Sequence, residues 1–74
     1  MFPDTAPMEE VLRAVAEKEG YSEERWRKHL QLLADKEIDT AGNLRVLTEV
    51  RIEALGLPPV VTEYLLRVKR GPGE

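Results

Sequence analysis

The side chains able to do chemistry are few and scattered. His29 is the one histidine, Ser22 the one serine, and cysteine is absent. A metal site on His29 would have to take its other ligands from carboxylates, and no spaced His/Cys cluster supplies the usual donor set. Ser22 stands in no nucleophile motif, and no glycine loop has the spacing that cradles phosphate. The carboxylate pairs Glu9/Glu10 and Glu23/Glu24 open apolar-periodic runs. Negative charge is favoured there by the helix dipole, so structure accounts for them without catalysis. Neither an enzyme nor a cofactor is expected. Two basic clusters, Arg25/Arg27/Lys28 and Arg67/Lys69/Arg70, are the candidates for phosphate contacts. Against them stand 14 acidic and 11 basic side chains, a net charge of −3, which supplies no global field toward nucleic acid or anionic lipid. The corner from Gly56 to Thr62 has no basic residue and two prolines, which remove NH donors where a hairpin would present them. A helical module binding an RNA hairpin or the DNA backbone is therefore the alternative reading rather than the first.

The size of the chain limits what can hold these residues. Seventy-four residues make one small domain with one modest core and no room for a deep substrate cleft. Without cysteine, stability has to come from packing, and an intracellular, cytoplasmic setting is expected. No apolar run approaches the ~18 residues of a membrane span, and the start lacks the basic-then-apolar pattern of a signal peptide, so no membrane partner is expected. The MFPDTAP start and GPGE end read as the margins of a domain within a longer protein.

The pattern is helical throughout, with no strand signal and no internal repeat. Residues 1–7 form a lead-in from which Phe2 can fold back onto the core, and which is placed to cap the first helix. Met8, Val11, Leu12 and Val15 recur on one helical face up to about Glu19, and Gly20 is the stop. Ser22 caps a second helix to about Asp35 with the stripe Trp26, Leu30, Leu33, and Tyr21 is placed to staple onto Trp26. His29 reads as a boundary residue beside that tryptophan. Ile38 points inward from a short connection. Thr40 caps a short helix to about Leu47, Thr48 caps another, and Gly56 ends it. Pro58 and Pro59 prepare the first turn of a long last helix with Val61, Tyr64, Leu65 and Val68 on its buried side. Arg67, Lys69 and Arg70 suit the negative end of that helix. The densest apolar stretch, residues 44–68, organises the rest. The expected fold is a compact five-helix bundle over 8–70, with short middle helices, a long C-terminal helix and a tail at 71–74. Leu32, Val50 and Leu66 fall outside the stripes and, with Val60, are candidate contact residues.

The run EIDTAGNLRVLTEVRIEALGLP resembles the centre of a sterile alpha motif (SAM) domain. Ile38-Asp39, Leu44, Leu47-Thr48, Ile52 and Leu55-Gly56-Leu57 fill the family's places. The spacing from Ile38 to Thr48 is one residue longer than the commonest form, and Val60, Val61 and Thr62 replace the usual glycine and basic residue. The resemblance implies a protein–protein interaction module within a larger scaffold, signalling or regulatory protein. Its partner would be another protein domain, another SAM domain included, with self-association as one form. Carried over by position, an acidic mid-loop surface would hold Glu37, Asp39, Glu49 and Glu53, with Val50 as a contact. An end-helix surface would hold Pro59, Val60, Thr62, Glu63 and Arg67, with Leu66 as a contact. Thr62 and Glu63 stand where the family often has bases, and Val50 and Arg51 where it often has acids. Pairing with a different protein is thus expected ahead of a long homopolymer.

Overall fold

The computed structural model describes residues 2–71, and the remainder of the expected tail, 72–74, lies outside the described residues. Five helices follow in order: α1 Met8–Glu19, α2 Glu23–Asp35, α3 Ala41–Arg45, α4 Glu49–Glu53 and α5 Pro59–Arg70. Their ends are set by the residues that the pattern marks. Gly20 takes φ 75°, a left-handed value that costs glycine little, and its N–H donates to Ala16 O. The hydroxyls of Ser22, Thr40 and Thr48 each accept a backbone N–H three residues on. At Thr40 the cap is reciprocal, because Asn43 Oδ1 accepts from the Thr40 N–H at 3.2 Å. Pro59 opens α5, where a missing N–H costs no helical hydrogen bond. The helix α3 stops two residues before Leu47. The Leu47 N–H closes onto Leu44 O at 3.1 Å, and Thr48 at once caps the next helix.

The core contains every residue of the α1 stripe, together with Trp26, Leu33, Ile38, Leu44, Ile52, Val61, Leu65 and Val68. Helix α1 packs on α2, while α5 packs on α3 and α4. The radius of gyration is 11.0 Å, the value of a close-packed chain of this length. Two expectations about sidedness are corrected. Leu66 is buried in the core and offers no contact surface, because α5 lies across both short helices and buries more of its circumference than one stripe. Leu32 is half-buried and packs against the core rather than standing outside it. Val46, which lies on no stripe, is 82% exposed, because it sits in the turn that ends α3.

The lead-in does more than precede α1. Its expected side-chain cap is absent, since Pro7 is the N-cap and makes no such bond. It runs instead antiparallel to the start of α3. Met8 N–H donates to Asp39 O, Ala41 N–H to Ala6 O and Gly42 N–H to Asp4 O, at 2.8, 2.9 and 2.9 Å. Gly42 eases this approach. A Cβ there would lie 3.0 Å from Asp4 O and 3.2 Å from Asp4 Cβ. Phe2 packs on the core as expected.

Arg45 ties this arrangement together. Its guanidinium donates to Asp4 Oδ1, to Phe2 O and, at 3.2 Å, to Val68 O, while its own carbonyl accepts from Lys69 Nζ at 3.0 Å. The Asp4 carboxylate is 76% exposed, so its ion pair contributes little; the part-buried carbonyls of Phe2 and Val68 matter more. Chemical denaturation should therefore show Arg45→Ala destabilised by about 2 kcal/mol and Asp4→Asn by less than about 1 kcal/mol. Equal losses in the two variants would place the clamp in the surface ion pair instead.

Candidate functional site

Two open grooves mark the surface. The larger, about 320 Å³, is lined by Lys36, Ile38, Leu47, Arg51, Ala54 and Leu55, between the end of α2 and the face of α4. The other, about 210 Å³, lies where the start of α5 meets the end of α1 and is lined by Val15, Lys18, Glu19, Val60, Glu63, Tyr64 and Arg67. The two share no residue. Among the described residues the exposed large apolar side chains are Val46, Val50 and Val60. Val60 is at the second groove. Val50 stands one helical turn before Ala54, on the face of α4 that leads into the first.

The carried-over acids do not form one patch. Asp39 is exposed, and its backbone is occupied twice: its N–H donates to Asn43 Oδ1 and its carbonyl accepts from Met8. Glu49 turns toward the end of α5, where its carboxylate is 3.7 Å from the Arg70 guanidinium. Glu53 is exposed at the end of α4. Glu37 follows α2 with φ 62°, the one positive-φ residue among the described residues that is not glycine. Its N–H closes onto Ala34 O and that of Ile38 onto Leu33 O, the paired bonds of a left-handed helix stop.

The end-helix set fares unevenly. Pro59, Val60, Glu63 and Arg67 are exposed, with Glu63 and Arg67 loosely paired at 3.8 Å. Thr62 is half-buried, and its hydroxyl donates to Leu57 O at 3.3 Å. Leu66 is excluded by burial, as described above. Lys18 and Glu19 of α1 and Tyr64 of α5, which sequence reasoning did not include, complete this groove. A helix pair contributes to such a site through its crossing, which periodicity within either helix does not reveal.

Most of the basic side chains have internal partners. Arg27 pairs with Glu23 at 2.6 Å and lies 5.0 Å from the centre of the Trp26 ring, with Arg13 at 5.7 Å from the same centre. Arg25 stands over Tyr21, Arg70 faces Glu49, and Lys69 holds the Arg45 carbonyl. The arginines of both clusters, and Lys69, thus enter ion pairs, cation–π contacts or hydrogen bonds within the fold, whereas Lys28 has no such partner among the described residues. Among the described residues no three His, Asp or Glu side chains are grouped so as to hold a metal ion, and no helix is long and apolar enough to cross a membrane.

His29 is half-buried on α2, and its Nε2 is covered without a hydrogen-bond partner. Burial first, and the charge of Arg25 second, hold its pKa below the ordinary value of 6.5.

No protein-family model, no curated protein and no solved structure matches the chain. The resemblance of residues 37–58 to a SAM domain accordingly rests on the residues that carry it.

Two measurements check this description. At the left-handed position Glu37→Gly should raise stability by about 1 kcal/mol in denaturant melts, since glycine adopts that backbone without a Cβ clash. A loss of stability would mean that the Glu37 side chain has a structural role. The lowered His29 pKa means that the unfolded chain takes up the proton first. Its contribution to stability is complete above pH 6.5 and is lost as pH falls through the folded value. Melting temperature measured from about pH 7 down to about pH 5.5 should fall more steeply in the natural chain than in His29→Gln. Parallel profiles would remove His29 as the cause.

Proposed function

We propose that the chain is a SAM-like module that pairs with another folded protein domain, through one surface on α4 and a second at the start of α5. The observation that carries the reading is the exposure of Val50 and Val60, 74% and 43%, on different helices and beside grooves with no shared residue. Two non-overlapping surfaces of this kind suit heterologous pairing, in which one surface of a molecule meets a different surface of the next. The SAM resemblance of residues 37–58 and the five-helix order support the same reading. Glu63 with Arg67 and Glu49 with Arg70 are already partnered, so apolar contact rather than charge supplies most of the adhesion. A different domain is favoured over a long homopolymer, because valine meeting valine would bury little area, whereas another domain can bring a larger apolar anchor.

Sedimentation over a wide concentration range, joined to cross-linked capture of partner domains, tests the proposal. Val50→Glu and Val60→Glu should each remove association without changing the helical circular dichroism. Where the chain pairs with itself, a mixture of the two variants should recover a one-to-one complex that grows no further, since each retains the opposite surface. If both variants sediment and capture as the natural chain does, the proposed surfaces are wrong. Low-salt titration with an RNA hairpin and a DNA duplex serves as control, and saturable binding weakened by Arg27→Glu would replace association by nucleic-acid recognition.

A further inference from the structure

The groove beside α4 contains the clearest unsatisfied chemistry on the molecule. Of the seven arginines, six are engaged: Arg13, Arg27, Arg45, Arg67 and Arg70 by carboxylates, and Arg25 by the Tyr21 ring. Arg51 has no ion pair, side-chain hydrogen bond or aromatic ring beside it among the described residues. Its neighbours along the chain explain why. Arg13, Arg27 and Arg67 each find a glutamate four residues earlier, whereas Arg51 has Leu47 four residues before it and Leu55 four after. Those two leucines line the groove with Ile38 and Ala54, and Lys36 supplies the other charge. Lys36 likewise has no ion pair among the described residues, and no carboxylate lines the groove. The lining itself bears two cations and no anion, while the exposed Glu37, Asp39 and Glu53 stand beside lining residues along the chain, outside the hollow.

We infer that this groove docks a short acidic peptide segment of a partner protein, which inserts a leucine- or phenylalanine-sized side chain over Ile38, Leu47 and Leu55 and sets a carboxylate on Arg51. The inference rests on the reading of the chain as an association module and names what its α4 surface receives. The hollow's volume, about 320 Å³, lies at the small end of binding pockets and suits one or two anchoring side chains rather than a whole helix face. A second copy of the chain fits less well. Among the described residues its exposed large apolar side chains are all valines, too short to fill the hollow, and Glu63, three residues after Val60, is already shared with Arg67. A phosphate backbone would find two cations and nothing to use in the four apolar lining residues. Arginine suits a carboxylate here, since its planar fork can hold both oxygens at once.

The probe is a fluorescein-labelled peptide of glutamates around a central leucine and phenylalanine, titrated with the whole chain by fluorescence anisotropy. Saturable binding with a Kd below about 1 mM is expected. Arg51→Glu should weaken it at least about fivefold. Ala54→Trp, which fills the hollow from an exposed position, should weaken it by about tenfold with the melting temperature unchanged. Alanines in place of the leucine and phenylalanine should cost a similar factor, and a lysine-for-glutamate peptide should not bind. Val60→Glu, on the other groove, should leave binding unchanged. Equal binding of the alanine peptide would reduce the effect to charge and overturn the assignment, as would indifference to Arg51→Glu. Absent peptide binding, with domain pairing still broken by Val50→Glu and Val60→Glu, removes this inference and leaves the proposed function standing. Full peptide binding, with pairing and capture untouched by those two variants, upholds the groove and removes the paired-domain reading.

Discussion

The Arg45 guanidinium joins parts of the chain that are far apart in sequence: the lead-in through Phe2 O and Asp4, and the last turns of α5 through Val68 O. Loop-closure entropy opposes such contacts, and a domain of this size has little core with which to offset it. A fork-shaped donor that reaches two strands of backbone from one five-residue helix is an economical way to hold them. Arg45 also restrains α3 itself. A helix so short has almost no stability of its own, so its position comes from what grips it at each side. On one side the lead-in lies along its first turn, close enough that a side chain at Gly42 would press on Asp4. On the other, Lys69 of α5 holds the Arg45 carbonyl.

The surface features follow from the shortness of α3 and α4. A helix of a single turn or so can bury one or two side chains, and α4 buries Ile52 alone. The apolar residues left over must face outward or line hollows. Val46 and Val50 are exposed, and Leu47 and Leu55 are half-buried beside Arg51. Long helices behave differently. Helix α5 crosses both short ones and buries Leu65 and Leu66 together.

Charge follows a similar rule. Where a glutamate stands one turn before an arginine, the two pair within the helix and the surface is quiet, as on α1, α2 and α5. Each pair contributes little to stability, but it uses up a cation that would otherwise be free to bind a partner. Arg51, flanked by leucines at that spacing, keeps its charge uncompensated beside apolar surface.

Local rules made much of the fold readable from the sequence. Ser22, Thr40 and Thr48 cap, Gly20 stops and Pro59 starts their helices because each acts on backbone groups within a few residues of itself. The stripe of α1, the burial of Val61, Leu65 and Val68 on α5 and the inward Ile38 were likewise legible from period and isolation, while Tyr64 of the expected α5 stripe is only half-buried. Sidedness was not legible where it depends on a second helix. Leu66 is buried and Val46 exposed because of how α5 lies over the short helices and where α3 stops, neither of which periodicity contains. Of the candidate site, Val50 and Val60 could be picked out as apolar residues off the stripe, but the grooves beside them could not, since their walls come from segments that meet only on folding. The sequence by itself determined where the helices lie and that the chain is all-α, because hydrogen bonding and hydrophobic period are local. Tertiary structure alone decided the Arg45 clamp, the close approach at Gly42 and the hollow beside Arg51, because each depends on which distant segments come within reach.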